Sequence, residues 1–137
     1  MAYLSSKTEI KYIVDDEDLT VEDFLGLAQK VWPGSYNEER THDALAKTIN
    51  VTAWDEDVLV GCARILSDGY FFGTIPEILV NPDYQRNGIG KRLMELAWEV
   101  SPTSLFFGAQ SGNGEFFEKL GYTKSMQSYS KRKSRLK

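Results

Sequence analysis

The 137-residue chain has very little of the chemistry that metal sites, disulfide frameworks and serine hydrolases require. Its one cysteine, Cys62, excludes an intramolecular disulfide and a cysteine-built zinc site. Its one histidine, His42, argues against a histidine-rich metal centre and against a serine–histidine catalytic pair. No segment approaches the roughly 20 apolar residues of a membrane span, and residues 1–9 lack the apolar core of a signal peptide. We therefore expect a cytoplasmic protein that holds no metal and does not enter a membrane.

Acidic residues are absent from the last part of the chain, and the charge is accordingly uneven. Residues 1–123 hold all 20 acidic side chains against ten basic ones, a net charge of −10, whereas residues 124–137 carry six basic side chains. Because nucleic-acid binding needs a basic face, the acidic body argues against a nucleic-acid partner. The basic end is more typical of a solvated C-terminus than of a nucleic-acid or membrane contact.

The hydrophobic pattern predicts one folded domain over residues 1–137, with residues 124–137 as its basic C-terminal end. Hydrophobic residues make up 42% of the chain, which is enough for a core in which Cys62, Trp32 and Trp54 are expected to pack. The element order is β-α-α-β-β-β-α-β-α, which favours an α+β (mixed α/β) fold on one mostly antiparallel sheet. The predicted strands are residues 8–14, 51–55, 58–66, 70–80 and 104–109, and the predicted helices are residues 21–32, 38–49, 88–100 and 115–120.

The most informative segment is residues 79–94, where a strand ends, a loop with two glycines follows, and a helix begins. The free N–H groups and the dipole of a helix N-terminus bind anions. Gly88 and Gly90 let the backbone approach a phosphate group without an intervening Cβ. Three basic side chains between residues 86 and 92 add positive charge. The segment lacks the GxGxxG and GxxxxGK[ST] motifs, so spacing alone leaves phosphate binding and a purely structural loop–helix junction as equal alternatives.

Residues 85–90, Q-R-N-G-I-G, resemble the Q/R-x-x-G-x-G/A signature of the GNAT (Gcn5-related N-acetyltransferase) family. The preceding V-N-P-D-Y of residues 80–84 is similar to the segment that leads into that signature. G-C-A-R-I-L-S-D-G at residues 61–69 resembles the family's third strand and turn, and F-F-E-K-L-G-Y at residues 116–122 resembles its late F-Y-E-K-L-G-F sequence. The resemblance covers about residues 58–122, in the order of a small bacterial-type member.

This resemblance implies a single GNAT-like domain, in which about four helices flank a sheet that splays at an acetyl-CoA site. It implies that the main chain of residues 78–80 pairs with the pantetheine, and that the loop of residues 85–91 holds the pyrophosphate. It also implies a polar residue near the start of the last helix. The cofactor-binding residues are therefore expected to be Ile78, Leu79, Val80, Gln85, Arg86, Asn87, Gly88, Ile89, Gly90, Lys91, Gln110, Asn113 and Phe117, with Gln110 and Asn113 as alternatives for the polar residue.

Glu77 is the candidate general base. It is the one carboxylate between Asp68 and Asp83, within an apolar run, and desolvation makes a carboxylate a better proton acceptor. An acidic residue often occupies this place in the small relatives that the chain resembles. The alternative is a structural glutamate that bonds to the backbone or pairs with Arg64. Pro76 predicts a bulge beside it.

Phe117 departs from the family's pattern. Members of the family often carry at this position a tyrosine that protonates the departing thiolate, so the resemblance cannot supply that acid here. Tyr84, Tyr122 and Ser111 are alternative acids. A thiolate is also a tolerable leaving group near neutral pH, so the reaction can proceed without an acid.

The resemblance places the acceptor beside the loop between the first two helices, at residues 35–37. We predict an N-acetyltransferase that moves the acetyl group of acetyl-CoA to the primary amine of a small molecule, as a monomer or homodimer. Two alternatives stay open: a non-catalytic acyl-CoA-binding or regulatory module, and acetylation of a protein or peptide amine. Nearby acidic side chains are expected to favour a cationic acceptor, namely Glu38, Glu39 and Asp43.

Overall fold

The computed structural model describes residues 9–110 and 112–134, and its centre is a five-stranded antiparallel sheet. The long β3 pairs with β2 along one edge and with β4 and β5, one after the other, along the opposite edge. Strand β1 pairs with the outer edge of β2. The strands are β1 (Ile10–Ile13), β2 (Ile49–Asp55), β3 (Val58–Ser67), β4 (Gly73–Thr74) and β5 (Ile78–Val80).

Within the described residues, four α-helices accompany the sheet. Thr20 caps the first of them, because its Oγ1 accepts a hydrogen bond from the Asp23 N–H at 3.1 Å. The second helix ends three residues earlier than the apolar spacing predicts, because Ile49 already pairs with Ile65 as the first residue of β2. The helices are α1 (Val21–Val31), α2 (Glu38–Ala46), α3 (Ile89–Val100) and α4 (Gly114–Lys119), and a 3₁₀ turn (Pro82–Tyr84) precedes α3.

The two faces of the sheet are covered by different helices. Helices α1 and α2 pack on the face that carries Cys62 and Leu79, and α3 packs on the other face. Gly61 lies directly beneath α3, and a Cβ there would be 3.0 Å from the side chains of Ile89 and Leu93. This glycine lets the first turn of α3 lie close against β3, next to the end of β5.

The predicted strand 70–80 is wrong as a single strand. The structure divides it into β4 and β5, because Pro76 cannot donate a ladder hydrogen bond between them. The predicted strand 104–109 is also wrong, since it contributes one isolated parallel bridge from Phe106 to Thr74. The chain therefore leaves the sheet after pairing with β4, and it does not continue beside β5.

The mixed α/β architecture, the antiparallel sheet and the four helices confirm the predicted fold class. Cys62 is fully buried as expected, whereas Trp32 is 45% exposed and does not pack in the interior. Among the residues that the structure describes, no helix is long and apolar enough to cross a membrane. The described residues beyond Tyr122 form neither strand nor helix, and two of the basic residues at that end, Arg135 and Lys137, lie outside the described residues.

Candidate active site

The loop between β5 and α3 presents backbone N–H groups at a helix N-terminus. Gly88 is the N-cap of α3 and has a left-handed φ of +78°, which favours glycine. The first hydrogen bond of the helix runs from the Arg92 N–H to the Gly88 carbonyl at 3.0 Å. An α-helix leaves the N–H groups ahead of this bond, here residues 89–91, without an intrahelical acceptor. These donors and the helix dipole suit a pyrophosphate.

The surroundings of this loop leave room for such a ligand. Residues 85–88 are exposed, and a Cβ built on Gly88 meets no described atom within 4 Å. The side chain of Ile89 is only 1% exposed because it packs against β3, so this residue can offer a ligand only its N–H. The exposed Lys91 on the first turn of α3 adds a positive charge beside the loop.

Tyr84 fixes the start of this loop to the rest of the sheet. Its hydroxyl donates a hydrogen bond at 2.5 Å to Asp55, the last residue of β2. This hydrogen bond, together with burial, raises the pKa of Tyr84. The Asn87 side chain in turn donates to the Tyr84 carbonyl at 3.0 Å. Since its proton is held by Asp55, Tyr84 acts as an anchor of the loop and is not placed to supply an acid.

Tyr84→Phe is expected to weaken CoA binding, by about two- to fivefold, because the loop loses the hydrogen bond to Asp55, a contribution of about 1 kcal/mol. Calorimetric titration with CoA measures this change. Tyr129→Phe is the matched control, since its hydroxyl contacts only Gln127 on the exposed C-terminal segment among the described residues. Equal CoA affinity in Tyr84→Phe and the wild type would show that the loop is held without this hydrogen bond.

The edge of β5 that faces away from β3 is open. In the part of the chain that the structure describes, β5 pairs with β3 alone, and the chain near Phe106 bonds to β4 instead. Main-chain groups of an open edge can pair with an extended ligand. Beside this edge lies a cavity of about 120 Å³, which we call the strand gap, lined by Trp32, Ile75, Pro76, Glu77, Ile78, Met94, Phe107, Gly108, Ala109, Gln110, Asn113 and Phe117.

Candidate residues from distant parts of the sequence meet at the strand gap. Glu77 and Ile78 come from the segment before and within β5, whereas Gln110, Asn113 and Phe117 come from the loop and helix at the opposite wall. Both polar candidates, Gln110 and Asn113, line the gap. The ring of Phe117 packs edge-on against Phe107 at 4.9 Å between centroids and has no proton to give.

Glu77 forms a bidentate ion pair with Arg64. The Arg64 Nε donates to Glu77 Oε2, and the Arg64 Nη2 donates to Glu77 Oε1 at 3.2 Å. The two side chains are only 15% and 14% exposed. Arg64 on β3 lies opposite Glu77, the residue before β5, because the Arg64 N–H also donates to the Glu77 carbonyl at 3.3 Å. The structure therefore shows the pairing that the sequence left as an alternative, and it leaves Glu77 beside the strand gap.

A second cavity of about 320 Å³, the helix-side cavity, lies between the sheet and helices α1 and α2. Glu77 and Trp32 line both this cavity and the strand gap, so the two cavities adjoin at these side chains. The helix-side cavity is lined by Phe24, Ala28, Trp32, Ser35, Tyr36, Asn37, Arg40, Thr41, Ala44, Leu45, Arg64, Glu77 and Leu79.

The loop residues 35–37 line the helix-side cavity, but several of their polar groups form hydrogen bonds within the loop and to the adjoining helices. The Tyr36 hydroxyl donates to the Trp32 carbonyl at 2.6 Å. The Asn37 side chain accepts from the Arg40 N–H at 2.8 Å and thereby caps α2. The loop therefore shapes the cavity, whose remaining wall is mostly apolar.

The expected acidic wall of this cavity is wrong. Of the described residues, the charged side chains that line it are Arg40, Arg64 and Glu77. The acidic residues of α2 are exposed on faces of the helix that do not border the cavity, namely Glu38, Glu39 and Asp43. The apolar packing of Leu45 against the sheet fixes this rotation of α2.

Of the alternative acids that the structure describes, neither Tyr84 nor Tyr122 is placed to replace the missing tyrosine. The Tyr122 hydroxyl is buried and has no hydrogen-bond partner among the described residues, and burial raises the pKa of Tyr122. It lines a groove beside α3 and not the strand gap. Ser111 lies outside the described residues. Burial and then the charge of Glu77 raise the pKa of Cys62 to about 12, so this thiol is unsuited to be a nucleophile.

Trp32 is the site residue that sequence reasoning missed. Its spacing in the apolar series of α1 predicts a packing residue. In the structure it is the C-cap of α1, with φ −134° and ψ +84°, so the chain leaves the helical path at this residue. The side chain thus reaches the junction of the two cavities. The sequence signal for this position is Pro33, because the helical conformation is disfavoured at a residue that precedes a proline.

Comparison with known proteins identifies the family of this site. Residues 47–124 match the model of the acetyltransferase (GNAT) domain, which is more than half of the chain. The chain is 40% identical to GCN5-related N-acetyltransferase 2, chloroplastic, of Arabidopsis thaliana, over 49% of this chain and 28% of that protein. A GNAT-family acetyltransferase structure from Streptococcus pneumoniae superposes with a TM-score of 0.76 at 26% identity, over 91% of this chain and 100% of the other.

Two longer relatives come from Glycine max, and both are 32% identical to the chain over 77% of its length. They are described as probable acetyltransferase TAP2 and histone acetyltransferase TAP1. The chain spans about half the length of these curated relatives, 48% of TAP2 and 52% of TAP1.

Proposed function

Because this chain belongs to the GNAT acetyltransferase family, we propose that it transfers the acetyl group of acetyl-CoA to the primary amine of a small molecule. The observation that carries this proposal is the junction of the two cavities. The strand gap adjoins the open edge of β5, which leads to the N-terminus of α3, and the helix-side cavity lies on the other side of Glu77 and Trp32. One cavity can hold the thioester and the other the amine.

The residues fit the parts of CoA in order along β5. The loop of residues 85–91 offers backbone N–H groups and positive charge to the pyrophosphate. The open edge of residues 78–80 offers main-chain groups to the amides of the pantetheine. Acetyl-CoA supplies an electrophilic thioester when bound, in the strand gap beside Gln110, Asn113 and Phe117. The proposed reaction uses no metal.

In this mechanism Glu77 receives the proton that the acceptor amine loses, directly or through one water molecule. An amine must be uncharged to attack a carbonyl carbon, and a carboxylate at the cavity junction is within reach of either side. The thiolate leaves without a protein acid in this proposal, since Phe117 has no proton, the Tyr122 hydroxyl is buried, and Tyr122 is not among the described residues that line the strand gap. The cavity walls contribute by holding the amine in position.

The dimensions and walls of the helix-side cavity suit a small amine with an apolar body. A volume of about 320 Å³ is at the lower end of ligand pockets in proteins. Three aromatic side chains, Phe24, Trp32 and Tyr36, form much of its wall. The absence of the acidic α2 residues from this wall removes the reason for expecting a polycationic acceptor. The description of TAP1 as a histone acetyltransferase makes a protein amine the competing acceptor.

Release of free thiol from acetyl-CoA across a panel of amines tests this proposal. We expect turnover with small monoamines, confirmed by mass spectrometry of the N-acetylated product, and lower kcat/KM with spermidine. If a lysine peptide is acetylated and no free amine is, the acceptor is a protein and not a small molecule. CoA binding without turnover of any amine or peptide would contradict the assignment of this protein as an enzyme, and it would favour a regulatory acyl-CoA-binding module.

The proposal includes a single domain over residues 1–137, a cytoplasmic location and a monomer or homodimer. The chloroplastic description of one relative supplies the competing location. Fractionation of the source cells tests the location, and light scattering of the purified protein tests the oligomeric state.

A further inference from the structure

Arg64 lies at the centre of the proposed site, yet the reaction as derived above gives it no role. It lines the helix-side cavity together with Glu77, its ion-pair partner. Its guanidinium carbon lies 5.9 Å from the centre of the Phe24 ring, which is a cation–π distance. The guanidinium is thus held by two groups, an aromatic ring on α1 and the carboxylate of the residue before β5.

The two hydrogen bonds of this pair fix the plane of the Glu77 carboxylate. A guanidinium presents two parallel N–H groups in a rigid fork, and here one contacts each carboxylate oxygen. Each oxygen of a carboxylate has two acceptor positions, so the bidentate pair leaves one free on each oxygen. The free positions point away from the guanidinium, and Glu77 therefore keeps the capacity to accept a proton at the cavity junction.

We propose that Arg64 is a positioning residue for acetyl transfer: its fork holds the Glu77 carboxylate in the orientation in which it accepts the proton of the amine. This inference rests on the proposed function of Glu77. It assigns to Arg64 no contact with the reacting atoms. Arg64 acts through Glu77, so its contribution disappears when Glu77 can no longer accept a proton.

A double-mutant cycle in kcat tests this dependence. Arg64→Met is expected to lower kcat by about 10- to 100-fold, which lies within the range of coupling between contacting residues, with the KM for acetyl-CoA unchanged. Arg64→Met combined with Glu77→Gln is expected to be no slower than Glu77→Gln alone, within about threefold. Additive losses in the double variant would overturn the proposal, because they would show that Arg64 acts independently of Glu77.

Arg64→Lys separates orientation from charge. Lysine keeps the positive charge but is a single point donor, and it cannot hold both oxygens in one plane. We expect it to recover only part of the kcat lost in Arg64→Met, and full recovery would overturn the role of the fork. If Arg64→Met does not fold, as thermal unfolding would reveal, the cycle is run with Arg64→Lys, which leaves no buried carboxylate without a cation.

Lys30→Met is the matched control, because it removes an exposed positive charge from the last turn of α1 without touching Glu77. Its kcat is expected to equal that of the wild type. Failure of the proposed function can be told apart from failure of the inference on Arg64, because in the first case the wild-type protein turns over no amine. The inference on Arg64 fails when the wild type is active and the cycle is additive.

Discussion

Glu77→Gln is expected to lower kcat/KM by about 10²- to 10⁴-fold, the usual contribution of a general base. The substitution keeps the size of the side chain and one hydrogen-bond acceptor for Arg64, but it removes the group that takes the proton of the amine. Steady-state thiol release with a turned-over amine measures the loss. CoA affinity is expected to stay within about twofold of the wild type, because the pyrophosphate loop lies at the other end of β5.

Phe117→Tyr is the comparison for this result. It restores the hydroxyl that the family often has, at the wall of the strand gap. We expect a change in kcat/KM of less than about tenfold, since a thiolate leaves readily near neutral pH. Near-full activity of Glu77→Gln would make Glu77 a structural residue. The site would then contribute positioning alone, and water would take the proton.

Gly88→Val is expected to abolish the stabilisation that CoA confers on the fold. CoA at 100 times its dissociation constant stabilises the wild-type protein by about 2.7 kcal/mol. In the variant, a β-branched side chain would stand in the open space in front of the N-terminus of α3, where we propose that the pyrophosphate binds. The φ of +78° also strains any non-glycine residue, by about 1–3 kcal/mol. Thermal unfolding with and without CoA measures both effects.

Gly69→Val separates backbone strain from the loss of the site. Gly69 has a φ of +87° and open space around it, but it lies on the turn after β3, far along the chain from the loop. We expect this variant to lose stability in the same way and to keep the full shift with CoA. If Gly88→Val still shows the wild-type shift in thermal unfolding with CoA, the pyrophosphate does not bind at this loop.

The parts of the fold that the sequence predicts are those set by local chemistry. The helical periodicity of α1 and α3, and the start of α3 directly after a loop that contains Gly88, depend on residues within a few positions of each other. The candidate cofactor loop is of this kind, because its strand, glycines and helix are contiguous. The resemblance of residues 85–90 to a known signature then adds what such a loop binds.

The parts that the sequence does not predict depend on contacts between distant segments. The apolar run 70–80 has the composition of one strand with a bulge at Pro76, and only the pairing of β3 with both of its halves shows that the run forms two strands. The run 104–109 has the composition of a strand, yet it forms only one isolated bridge, to β4. It does not pair with β5, and the strand gap lies between them. The choice between a free Glu77 and one paired with Arg64 likewise needs the register of β3 and β5. Composition gives no sign of that register.

The central claim is that acetyl-CoA and the amine meet at Glu77 from opposite cavities, and amide NMR of the ¹⁵N-labelled protein tests it most directly. We predict that CoA shifts the resonances of residues 78–80 and 86–91. A turned-over amine should then shift those of residues 35–37, and Glu77 should respond to both ligands. CoA that leaves residues 86–91 unshifted, or an amine that shifts only residues far from the helix-side cavity, would contradict the account.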